Sequence, residues 1–122
     1  MTALLVTVAG AAGVYLRYVI SSAFHGDALP WATVAINVAG SLALGYLVVA
    51  HWPTHEVRTV LGVGFLGGFT TFSTFSVQAV LDTEAGEPGR AMAYVLASVV
   101  LGIAAAGFGY WIGHVVRHVV RH

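Results

Sequence analysis

The residue types with the most chemistry to offer are concentrated in one run, Gly64-Phe65-Leu66-Gly67-Gly68-Phe69-Thr70-Thr71-Phe72-Ser73-Thr74-Phe75-Ser76. Gly64, Gly67 and Gly68 put three glycines in five positions. From Thr70 to Ser76 five of seven residues carry a hydroxyl, with Phe72 and Phe75 between them. Hydroxyls donate hydrogen bonds. A phenyl ring has a positive edge, so a ring turned edge-on faces a small anion without bringing in a full charge. Attraction that is weak and repeated is what conduction requires. The glycines point to a different chemistry. Glycine costs about 1 kcal/mol against alanine inside a helix and tolerates positive φ, so a helix here is expected to break at Gly67-Gly68. A break at membrane depth exposes carbonyl and amide groups that can hold ions.

Three other places could join that chemistry. Thr33, Asn37, Ser41 and Gly45 recur every fourth residue and make one polar stripe on an otherwise apolar helix. An intramembrane asparagine can simply hydrogen-bond a neighbouring helix, but its alignment with Thr33 and Ser41 favours a lining of donors along a path. Gly10, Gly13 and Arg17 share a face of small residues that ends in a cation. Arg17 either stands at the mouth of an anion route or snorkels to the interface. Tyr94 and Ser98 share a face of a later helix and could add hydroxyls to a route.

The elements that must position these residues follow from composition. The chain has 122 residues, is 58% hydrophobic and only 8% charged, with a mean hydropathy of +0.86. An ordinary soluble domain is about 25% charged, so an integral membrane protein is expected. A span takes about 20 apolar residues, which gives four spans, near residues 3–24, 31–50, 57–81 and 91–113, in one domain covering 1–122. Hydroxyls at bilayer depth must find protein partners or line a cavity, so the third span is expected to face protein or a pore. The apolar run at the N-terminus continues past Arg17, so it reads as a retained span rather than a cleaved signal.

Several function classes are disfavoured. There is no lysine and no basic stretch interleaved with aromatics, so no nucleic-acid partner is expected. No cysteine means no thiol chemistry. No nucleophile, base and third group converge by spacing, so no enzyme is expected. Pro53 breaks any helix that would align His51 with His55 as metal ligands. Asp82 to Arg90 reads as a solvated turn. The tail places His114, Arg117, His118, Arg121 and His122 opposite Val115, Val116, Val119 and Val120, either riding on lipid headgroups or, less simply, binding metal through its histidines. A chain this short would need to oligomerise to enclose a pathway.

The third-span run Gly67-Gly68-Phe69-Thr70-Thr71-Phe72-Ser73-Thr74-Phe75 resembles the signature of the Fluc (CrcB) fluoride channels. The resemblance extends to Gly13–Tyr18 with its Arg-Tyr pair, to Asn37-Val38-Ala39-Gly40 and to the four-span plan. It implies an all-α membrane protein built as an antiparallel, dual-topology homodimer, with two pores that export fluoride passively from the cytoplasm across the cytoplasmic membrane. It implies Phe72 and Phe75 as pore-side aromatics and Asn37, Ser73 and Thr74 as polar lining. It also implies a structural sodium ion at the dimer centre, held by main-chain oxygens of Gly67 and Thr70. A hard cation prefers oxygen ligands, which agrees with a break that frees carbonyls. The family often carries a glutamate where this chain has Gln78.

Two alternatives from other classes compete with this. A proton-coupled multidrug transporter of four spans needs a titratable carboxylate within the membrane, and Asp27, Glu56, Asp82, Glu84 and Glu87 all fall in loops or at span ends. A purely structural membrane subunit would explain the small-residue stripes Ser98-Gly102-Ala106 and Ala105-Gly109-Gly113 but not the polar third span. For topology, Arg58, Arg117 and Arg121 lie on one side against Arg90 on the other, with Arg17 near a span end. That small excess leaves both orientations open.

Overall fold

The computed structural model describes all residues from Met1 to His122 and is entirely helical. Helix α1 covers Thr2–Ser22 and α2 Ala28–Val49. The third span is composite. It comprises α3 (His55–Thr59), a π-helical segment (Val60–Leu66), α4 (Gly67–Phe69) and α5 (Phe72–Glu84). Helix α6 runs unbroken over Pro88–Arg121. Four stretches are long and apolar enough to cross a membrane: Thr2–Ser22, Ala28–Val49, His55–Glu84 and Pro88–Arg121.

Helix α2 is the hub. In its apolar window 39% of residues are buried, against 6% for α1, so α2 is the helix covered by protein and α1 the one left to its surroundings. Helix α6 lies along α2, α5 packs on α6, and α1 packs on the π-helical segment and α4. Glycines set how closely these pairs approach. A Cβ on Gly45 would run into the Ala106 carbonyl, and one on Gly109 into the Leu42 carbonyl, so the α2–α6 seam is backbone against backbone. The α1 seam is built the same way, with Gly13 against the Phe65 carbonyl and Gly68 against the Gly10 carbonyl.

That second seam corrects one expectation. Gly67 and Gly68 are helical, and the only positive-φ residues in the chain are Gly26 and Gly86. Gly68 serves close approach to α1, and neither glycine changes the backbone direction. The extended residues are Thr70 (φ −88°, ψ 157°) and Thr71 (φ −147°, ψ 121°), three positions further on. The π-helical turns before them had no counterpart in the sequence reading.

Loop residues also differ from expectation. Asp82 lies inside α5 and is 7% exposed, rather than in a solvated turn, because Arg90 reaches it at 3.2 Å and also holds Asp27 at 3.0 Å. That cation ties the start of α2, the end of α5 and the start of α6 together. At the other end of the bundle Arg58 donates to the carbonyls of Leu47 (3.1 Å) and Ala50 (2.8 Å), satisfying the C-terminus of α2. Thr54 caps α3, accepting from Val57 N–H at 3.2 Å.

Candidate functional site

Two extended residues inside an otherwise helical span leave backbone groups without intrahelical partners, and each must be satisfied or left facing a cavity. Asn37 of α2 takes both groups of Thr71. Its Oδ1 accepts from Thr71 N–H at 2.8 Å, and its Nδ2 donates to the Thr71 carbonyl at 2.9 Å. The carboxamide thus pairs with Thr71 as a neighbouring strand would. Arg17 of α1 donates through Nε to the Gly68 carbonyl at 3.1 Å, the oxygen whose helical donor would have been Phe72 N–H. Thr70 turns its own hydroxyl back to the Leu66 carbonyl at 2.9 Å. Thr71 is the N-cap of α5, accepting from Thr74 N–H at 3.3 Å.

Not every group is satisfied. No hydrogen bond reaches the carbonyl oxygens of Gly67 or Thr70. Gly67 is an exposed residue and Thr70 a half-buried one.

Beside the extended residues lies a cavity of about 330 Å³. Asn37, Ser41, Thr70, Thr71, Phe72, Phe75 and Ser98 line it, with Gly67 and Gly102 among the small residues that leave it room. The two phenyl rings sit 5.7 Å apart at 54°. Phe75 in turn lies 5.2 Å from the ring of Tyr94, which is 1% exposed. The Tyr94 hydroxyl and the Ser98 Oγ are both buried without a protein hydrogen-bond partner. They lie a helix turn apart on one face of α6, and Ser98 borders the cavity. Buried polar groups need partners, so this pair suits water or an ion.

The structure brings most of the residues singled out from sequence to one place. Asn37, Ser41, Ser98, Phe72, Phe75, Gly67 and Thr70 all border the cavity. Tyr94 stands behind Phe75. Ser73 and Thr74 group with the Thr71 hydroxyl, at 3.4 Å and 3.2 Å, rather than lining the cavity wall. Arg17 is turned toward the third span. The stripe on α2 divides its work. Thr33 is fully buried and bonds back to the Leu29 carbonyl at 3.3 Å, Asn37 clamps Thr71, Ser41 borders the cavity, and Gly45 belongs to the α6 seam.

Sequence reasoning missed Thr71 as the clamped residue. A signal existed: an asparagine in one span and a threonine pair in another are the kind of partners that an interrupted backbone needs. The glycines point instead to an interruption at Gly67-Gly68, which hides this pairing.

Residues 4–110 match the family described as CrcB-like protein, Camphor Resistance (CrcB). The chain belongs to this family. Relatives by sequence agree with it. A protein of Chelativorans sp. is 44% identical over 116 residues, covering 89% of this chain and 93% of its own length. One of Rhodospirillum centenum is 49% identical over 98 residues, covering 77% and 78%. One of Geobacter sulfurreducens is 42% identical over 119 residues, covering 92% and 93%. All three bear the name fluoride-specific ion channel FluC. For this CrcB-family chain the matched region includes the whole cavity.

Proposed function

We propose that this chain is a fluoride-selective channel that lets fluoride leave the cytoplasm passively across the cytoplasmic membrane. The observation that carries the proposal is the cavity beside Thr70 and Thr71, where hydroxyl and carboxamide donors converge with two phenyl rings inside an apolar bundle. The names of the relatives support the choice of ion.

The physical task is dehydration. Moving a small anion from water into a low-dielectric interior costs on the order of tens of kcal/mol unless preorganised donors replace its water. Ser41 and Ser98, the second Nδ2 hydrogen of Asn37, and the edges of Phe72 and Phe75 are those replacements, with Tyr94 extending the set and Ser73 and Thr74 supporting it. None carries a charge, so the ion is attracted without being trapped. Asn37 is held at both ends by Thr71, which fixes the direction of its remaining donor. Arg17 contributes by holding the Gly68 carbonyl away from the path.

The working unit in this reading is an antiparallel pair of chains, inserted in opposite orientations, with two pores. Phe72 is 78% exposed on a single chain and yet borders the cavity, as expected of a pore wall completed by a second copy. The third span is then interrupted at mid-membrane. The free carbonyls of Gly67 and Thr70 fit a hard cation such as sodium, two oxygens from each copy, and the bound ion would supply structural charge at the centre of the pair. The chain's own residues do the conducting.

The test is anion efflux from liposomes containing the purified protein. Fluoride loss with chloride retained under the same gradient is the expected result. Retention of both ions by a folded protein would overturn the proposal.

A further inference from the structure

The last two turns of α6 take no part in the cavity. Past Tyr110 and Trp111, which are 46% and 59% exposed, α6 continues without a break to Arg121. At 100° per residue His114, Arg117, His118, Arg121 and His122 fall in one arc and Val115, Val116, Val119 and Val120 in the opposite one. His114, Arg117, His118 and Arg121 alone line a cleft of about 220 Å³.

What the two arginines lack is a counter-charge. From Pro88 to His122 there is no aspartate or glutamate. The only ion pairs in the chain belong to Arg90, and Arg58 has turned its donors to the end of α2. Neither the Arg117 nor the Arg121 side chain makes a hydrogen bond within the chain, and the Arg117 Nε is buried without a partner. The helix dipole accounts for a cation in the last turn but not for Arg117 further back. A metal ion is a poor occupant, because no group of three or more His, Cys, Asp or Glu side chains comes together and two guanidiniums would repel it.

The position identifies the anion's source. Tyr and Trp gather at the membrane–water interface, and Arg117 is six residues beyond Trp111, about 9 Å along the helix. That is the outer edge of the headgroup layer, which is about 5–7 Å deep on each side. Val119 and Val120 remain 66% and 60% exposed on the opposite arc, away from the cations. Two arginines one turn apart offer forked donors to a phosphate.

We propose that His114, Arg117, His118 and Arg121 form a binding site for the phosphodiester of an anionic phospholipid headgroup. Each arginine near an anionic surface contributes enough that losing both weakens binding roughly thirtyfold and losing one about fivefold.

The test uses the full chain purified in a neutral detergent. Phosphatidylglycerol, phosphatidylcholine or inorganic phosphate is titrated in, with bound lipid counted by native mass spectrometry and the melting temperature followed in parallel. Phosphatidylglycerol is expected to bind saturably and raise the melting temperature, while phosphatidylcholine and millimolar phosphate do neither. The double variant Arg117→Gln/Arg121→Gln should lose about thirtyfold in phosphatidylglycerol affinity at an unchanged lipid-free melting temperature. Arg121→Gln, which leaves the buried Arg117 Nε in place, should lose about fivefold and serves if the double variant does not fold. Equal affinity in variant and parent, equal binding of phosphatidylcholine, or an equal shift from inorganic phosphate would each overturn the proposal.

Discussion

The α2–α6 seam and the Gly67–Thr74 stretch both depart from plain hydrocarbon, and they do so to opposite ends. At the seam Gly45 and Gly109 remove side chains so that backbones meet. At Thr70 and Thr71 the backbone itself opens. Side chains from α1 and α2 then repair some of the exposed groups and leave others free. Small residues close a membrane protein. A repaired interruption keeps one part of it open, and the repair decides which groups remain available.

Filling the seam should be the most damaging change. Gly109→Leu places a Cβ where the Leu42 carbonyl already sits, so α2 and α6 must separate. Overpacking typically costs about 1–3 kcal/mol and more where backbone has to move, so we expect loss of folded protein on size-exclusion chromatography. A monodisperse variant with parental melting behaviour would show that the seam is looser than described.

Removing the repair should come next. Asn37→Leu strands the N–H and the carbonyl of Thr71, at about 1–3 kcal/mol for each unsatisfied group. The variant should melt lower than the parent, and any that folds should conduct poorly because α5 is no longer held in place. Undiminished stability would mean that Thr71 finds other partners.

The mildest prediction concerns the loop end. The Asp27 side chain is 84% exposed, and its ion pair with Arg90 is open to solvent. Asp27→Asn should change stability by less than about 1 kcal/mol in a denaturation measurement, leaving transport untouched. A larger loss would indicate that Arg90 depends on both carboxylates to pin α2, α5 and α6.

The same contrast explains what the sequence could tell. Hydropathy sufficed for four spans, because a run of apolar residues has few other uses at this length. The period of four on α2 and the hydroxyl run in the third span single out Asn37, Ser41, Phe72 and Phe75, which border one cavity. The position of the interruption was not legible. Glycine permits both a bend and a close approach, and only the packing of Gly68 against Gly10 decides between them. The burial of Asp82 was hidden for a related reason. A carboxylate near a span end reads as solvated until its partner, Arg90 eight residues away on another helix, is seen to reach it.

The most direct test of the account is to change the open region while leaving the seam alone. Fluoride and chloride efflux would be compared in liposomes containing the parent, Phe72→Ile or Phe75→Ile, with each variant first shown to match the parent's elution. We expect the parent to release fluoride and keep chloride, and both variants to lose most fluoride flux, at least tenfold. Parental fluoride flux in both variants would contradict the assignment of this cavity as the ion path.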